Sequence, residues 1–79
     1  MNIQNLNQFK KFLQVGTKIK SQRSDGTIKN RIVTIKQTKS IKFDNGSWLN
    51  LTNAKDFIFH ADKIELLCGG HLACTYFIE

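Results

Sequence analysis

Two dipeptides, Asp25-Gly26 and Asn45-Gly46, constrain the fold of this chain more than any other feature. Asp-Gly and Asn-Gly are preferred centres of two-residue hairpin loops, in which both positions take positive φ. Each dipeptide lies between runs in which polar and apolar residues alternate. Residues 17–23 (TKIKSQR) and 27–38 (TIKNRIVTIKQT) flank the first; residues 40–44 (SIKFD) and 47–51 (SWLNL) flank the second. A period of two sends successive side chains to opposite faces of a strand. Two antiparallel hairpins are therefore expected. The strand over 27–38 is long enough to need a bend or bulge, expected near Asn30. Residues 52–56 (TNAKD) interrupt the pattern and read as one helical turn. DFIFH, KIELL and LACTYFI then read as three short strands, separated by Ala61-Asp62 and Gly69-Gly70.

The segment before Thr17 has a different period. Asn5 stands where a helix cap is needed, and Gln8 follows at capping-box spacing. Leu6, Phe9, Phe12 and Leu13 recur at helical intervals, and Gly16 is a natural stop, so a helix is expected over residues 5–15. Lys10 and Lys11 complement its C-terminal dipole. Three turns are too short to stand alone in water, so the apolar stripe must dock on the strands.

With 79 residues, the chain has room for one domain and one modest core. A mainly β (α+β) class follows: five to seven short strands, preceded by one N-terminal α-helix, curled into a small SH3-like β-barrel. Closure protects edges that would otherwise be open to pairing, and the helix is expected across one open end. An OB-like barrel is the second choice, but it needs longer strands and a helix between strands three and four. No apolar run approaches the length that spans a bilayer. The first residues lack the order of a secretory signal, so a cytoplasmic location and no membrane partner are expected.

Turn geometry then assigns faces. A two-residue loop at Asp25-Gly26 sets Ser24 opposite Thr27, Ile19 opposite Ile32, Lys20 opposite Arg31 and Gln22 opposite Lys29. The isoleucines point into the core, while Lys18, Lys20, Lys29 and Arg31 share the other face. The same arithmetic at Asn45-Gly46 sets Phe43 opposite Trp48. Such a pair favours a core or register role for the single tryptophan. The other reading is a contact platform beside basic residues. Tyr76, whose hydroxyl needs a partner, is expected at the rim.

Charge is unevenly distributed along the chain. Residues 1–43 carry ten basic side chains and one acidic, a net +9, and residues 44–79 carry a net −3, which together make the overall +6. A concentration of one sign points to a polyanionic or acidic partner, although lysines also serve solubility alone. The candidate binding residues are Lys18, Lys20, Lys29, Arg31, Lys36, Lys42 and Trp48.

Little in the sequence offers catalysis. Cys68, His71 and Cys74, with His60, invite a zinc reading, but C-x2-H-x2-C is not a structural zinc spacing. A Gly69-Gly70 turn would set Cys68 opposite His71 and Cys74 opposite Glu65, on the other face. The same register separates the cysteines too far for a disulfide. Reduced, unligated cysteines are expected, with no metal and no cofactor. No nucleophile–base pair or phosphate-binding glycine loop stands out, so the chain is read as not an enzyme.

The sets Val15-Gly16-Thr17-Lys18, Gln37-Thr38, Ser47-Trp48, Ala54-Lys55 and Thr75-Tyr76-Phe77 carry a resemblance over residues 9–79. In them the chain resembles a loose family of small uncharacterised bacteriophage and mobile-element proteins. It departs from the family pattern in a shorter loop at Asp25-Gly26, and in Leu51-Thr52 where Tyr-Pro or Phe-Pro is common. The resemblance implies a phage-like context and transfers no activity. Two functions follow as expectations. One is an accessory module gripping nucleic acid or a nucleotide through the basic hairpin. The other is an inhibitor of a host defence enzyme that docks on an acidic protein surface. The sequence does not set the oligomeric state.

Overall fold

The computed structural model describes residues 3–78. Helix α1 (Leu6–Phe12) precedes seven strands: β1 (Lys18–Arg23), β2 (Ile28–Lys36), β3 (Ser40–Phe43), β4 (Trp48–Asn50), β5 (Phe57–Phe59), β6 (Lys63–Cys68) and β7 (His71–Phe77). They form one antiparallel sheet in the order β4-β3-β2-β1-β7-β6-β5, curled into a half-barrel of the SH3-like kind expected. The edge strands β4 and β5 follow each other in sequence. The segment joining them contains the expected helical turn, a 3-10 helix at Ala54–Asp56 capped by Asn53, whose side chain accepts from the Lys55 amide.

The helix starts where its cap residues place it. Asn5 Oδ1 accepts from the Gln8 amide at 2.9 Å, and Gln8 Oε1 accepts from the Gln4 amide at 2.6 Å. The reciprocal half of the cap thus reaches one residue further back than a standard box. The helix stops at Phe12, short of the expected Val15. Beyond it the chain is drawn into the sheet margin, where the Gly16 amide donates to the Val33 carbonyl and the Val33 amide to that of Thr17. Phe9, Leu13 and Ile3 are buried with Ile19, Val33, Ile41, Phe43, Leu49, Leu51, Phe57, Ile64, Tyr76 and Ile78. The Phe9 ring meets Phe57, Phe59 and Tyr76 at centroid distances of 6.0, 6.4 and 6.1 Å. Lys36 of β2 fastens the helix from outside this cluster, its ammonium donating to the Lys10 carbonyl at 2.7 Å.

Both hairpin loops differ from expectation, and for one reason. No residue other than glycine has positive φ among the described residues, so neither Asp25 nor Asn45 adopts the backbone that a two-residue loop of this kind demands. Each loop has three residues instead. At the first, the Arg23 amide donates to the Thr27 carbonyl and the Gly26 amide to that of Arg23; at the second, Phe43, Ser47 and Gly46 repeat the pattern. This is a tight turn closed by a left-handed glycine, with φ +92° at Gly26 and +88° at Gly46.

The extra loop residue shifts the register by one. Ile19 faces Arg31, Lys20 faces Asn30, Gln22 faces Ile28 and Lys18 faces Ile32. The expected Ile19–Ile32 and Lys20–Arg31 pairs do not form, and Ile32 is 37% exposed. In the second hairpin Trp48 faces Lys42, not Phe43. Phe43 is buried, whereas Trp48 is 50% exposed, which overturns its core role. The bulge in β2 falls between Val33 and Ile35 rather than near Asn30. A second bulge, between Leu66 and Leu67, brings Cys74 opposite Leu66 instead of Glu65, while Cys68 does face His71.

Candidate functional site

The register shift turns Arg31 inward. Strand alternation gives β1 an inner face of Ile19, Ser21 and Arg23, and their neighbours Arg31 and Lys29 on β2 share it. On the far side of β1, Ser21 faces Tyr76 and Arg23 faces Cys74. The curl of the sheet brings several of these residues to a half-open cavity of about 250 Å³, lined by Ser21, Arg23, Arg31, Phe43, Asn45, Ser47, Ala73, Cys74 and Tyr76, of which Arg23, Asn45 and Ser47 are exposed. No residue of α1 lines it. Its floor is aromatic: Phe43 and Tyr76 stack with centroids 6.1 Å apart at 23°, and the other neighbour of Tyr76 is Phe9 of the core.

Among the described residues the lining carries two guanidinium groups and no carboxylate. Two acids lie close by in sequence, and the Asp25 carboxylate interacts electrostatically with Arg23. Asp25 Oδ1 accepts from the Thr27 amide at 2.9 Å, a bond that holds its carboxyl below the usual range, and Asp44 Oδ1 accepts from the Ile32 amide at 3.3 Å. The polar lining groups are partly committed too. Asn45 Oδ1 accepts from both the amide and the hydroxyl of Ser47, at 3.1 and 2.6 Å, which leaves the Asn45 amide nitrogen free to donate. Ser21 Oγ donates to the Lys29 carbonyl at 3.4 Å. Tyr76 is only 6% exposed. Burial pushes its hydroxyl far above the ordinary tyrosine range, and the adjacent Cys74 adds to the effect. The Arg31 guanidinium opposes them. At neutral pH the hydroxyl is a protonated donor beside an arginine.

The residues singled out from sequence divide into several groups. Arg31 lines the cavity, and Lys29, on the same face, is exposed. Lys18 and Lys20 lie on the outer face, where they border a smaller depression of about 220 Å³ with Phe12, Asn30 and Phe77. Lys42 holds its ammonium 5.8 Å from the centroid of the Trp48 ring, a cation–π contact. Trp48 also lines a shallow groove with Gln37, Lys39, Ser40, Asn50 and Thr52. Lys36 is bound to the helix carbonyl described above. Sequence reasoning missed Arg23, Asn45, Ser47 and the inward role of Tyr76. The signal for them is the Asp-Gly and Asn-Gly ambiguity: the same glycine also closes a three-residue loop.

The remaining titratable groups do not converge. His60 Nε2 and Glu65 Oε1 lie 2.6 Å apart at the surface. Cys68 and Cys74 are free thiols. Among the described residues no three His, Cys, Asp or Glu side chains are grouped as metal ligands, and no helix is long and apolar enough to cross a membrane. Compared with known proteins, the chain matches no family model, no curated protein and no solved structure.

Proposed function

We propose that this chain is a non-catalytic binding module for phosphate-bearing polyanions, nucleic acid foremost, and an accessory protein of the bacteriophage or mobile-element type. One observation carries the reading: Arg23 and Arg31, on adjacent strands, open into a single cavity that no carboxylate borders among the described residues. Arginine at such a place favours phosphate, because its planar fork donates two parallel hydrogen bonds to one oxyanion group. Lys18 and Lys20 on the outside of the same hairpin add an electrostatic contribution indifferent to sequence.

A gel-shift series against salt, with single- and double-stranded nucleic acid, tests this. Affinity is expected to fall steeply as salt rises. Arg31→Glu is expected to weaken binding more than Lys20→Glu, because it reverses charge inside the cavity. Absence of binding at low salt, or indifference to Arg31→Glu, refutes the reading. A second reading, an inhibitor docking on an acidic host protein, draws on the outer face. There Lys18, Lys20 and Lys42 accompany the exposed apolar side chains of Ile28, Ile32, Ile35 and Trp48. Capture of an acidic partner that Lys20→Glu abolishes and Arg31→Glu does not would favour this alternative.

A further inference from the structure

We infer that the inner cavity holds a terminal phosphate, the phosphomonoester at the end of a nucleotide or oligonucleotide, rather than an internal phosphodiester. The inference rests on the anion-binding reading and narrows it.

Two features of the cavity select the end of a ligand, and a third suits phosphate of either kind. Its volume is about 250 Å³, below the roughly 300–1,000 Å³ of sites that enclose a whole drug-sized molecule. One headgroup therefore fits, and the rest of the ligand must lie outside. A phosphomonoester projects three terminal oxygens and has a single covalent attachment. An internal phosphodiester has two, and its strand would have to both enter and leave the cavity.

Charge is the second feature. Arg23 and Arg31 bring two positive charges to a lining that holds no acid among the described residues, with Asp25 acting on Arg23 from outside it, and a phosphomonoester at neutral pH carries about −1.5 to −2. An internal phosphodiester carries a single negative charge, which the exposed lysines of the outer face can meet without burial. Hydrogen-bond polarity is the third. The two guanidinium groups, the free amide nitrogen of Asn45 and the protonated hydroxyl of Tyr76 all donate, and monoester oxygens at this charge chiefly accept. The Phe43–Tyr76 floor keeps water from one side of the site, which strengthens these charge-assisted bonds.

Fluorescence anisotropy with a labelled single-stranded oligonucleotide, carrying either a 5′-phosphate or a 5′-hydroxyl, reads the preference directly. A 3′-phosphorylated version distinguishes the two ends, and adenosine 5′-monophosphate against adenosine, with inorganic phosphate as competitor, isolates the headgroup. Wild type is expected to prefer at least one phosphorylated end by about tenfold or more, the range of one charge-assisted hydrogen-bond set. Arg31→Ala or Arg23→Ala should abolish the preference. Lys20→Ala should lower both affinities by the same factor and leave the preference intact. Circular dichroism checks that each variant is folded, and Arg31→Lys, which keeps charge without the fork, should retain only part of the preference.

Equal affinity for phosphorylated and hydroxyl ends overturns the inference while leaving the polyanion reading in place. A preference that survives both arginine variants overturns it too. Binding of the mononucleotide without any oligonucleotide binding supports the cavity assignment and removes nucleic acid as the ligand. If neither oligonucleotide nor mononucleotide binds at low salt, both proposals fall.

Discussion

Replacing Phe9 by alanine should cost this protein most of its stability, and replacing Trp48 should cost little. Phe9 is fully buried, 0% exposed, and ties α1 to Phe57, Phe59 and Tyr76. An aromatic side chain buries about 150–250 Å², which at about 25 cal/mol per Å² is about 4–6 kcal/mol of transfer free energy. Phe→Ala changes in cores cost about 3–5 kcal/mol once partial relaxation is allowed. A domain of this size typically holds only about 3–5 kcal/mol in all. The seven-residue helix has no independent stability to fall back on. Urea titrations followed by far-UV circular dichroism should show Phe9→Ala with its midpoint near zero denaturant, and Phe9→Leu still cooperative but weakened. Trp48→Ala, at a half-exposed position on the outer face, should lose no more than about 1 kcal/mol. A loss below about 1 kcal/mol for Phe9→Ala, or a larger loss for Trp48→Ala, would refute the placement of the core.

Three further outcomes are expected. Gly26→Ala should lower stability by about 1–2 kcal/mol, because φ +92° is a left-handed conformation even though nothing obstructs the added methyl group; thermal melts check this, and an unchanged melting temperature contradicts the three-residue loop. Tyr76 is the one tyrosine, so tyrosinate absorbance follows it alone. Its folded pKa is raised above the unfolded value of about 10, so its contribution to stability is fully present below that value and lost as pH rises further. Ionisation should coincide with alkaline unfolding, and a normal titration in the folded protein would contradict the burial. Lys36→Met should cost about 1 kcal/mol by freeing the Lys10 carbonyl, with faster amide exchange in α1 than in β6; uniform exchange would count against the helix fastening.

The elements of the fold were largely legible in the sequence, because period, caps and turn glycines are local signals. The Asn5 cap, the 3-10 turn at Ala54–Asp56 and the strand positions all follow from neighbouring residues. The site was not legible, because it depends on register, and register hung on one loop residue at each hairpin. Gly26 can be the second residue of a two-residue loop or the last of a three-residue one, and the dipeptide does not distinguish them. What differs is the φ of Asp25. Keeping it negative moves Ile32 out and Arg31 in, a one-residue slip that reverses the faces of β2. The same slip took Trp48 from the core to the surface. The β2 bulge, expected near Asn30, falls at Thr34 for a related reason: its place is set by the fit of β2 to β3, and no glycine marks it.

The central seam of the sheet joins β1, near the beginning of the chain, to β7, its last strand. During synthesis the hairpins of β1–β4 have all their local partners long before β7 exists, and contacts of such wide sequence separation are the slow ones to form. Arg23 waits on Cys74, and Ser21 on Tyr76. Until β7 arrives, one arginine-bearing wall stands without the wall that makes it a cavity. A nascent chain can therefore carry every lysine and arginine of the sequence before its cleft is complete, so on the proposed reading binding through charge and recognition within the cleft would begin at different moments in the life of the molecule.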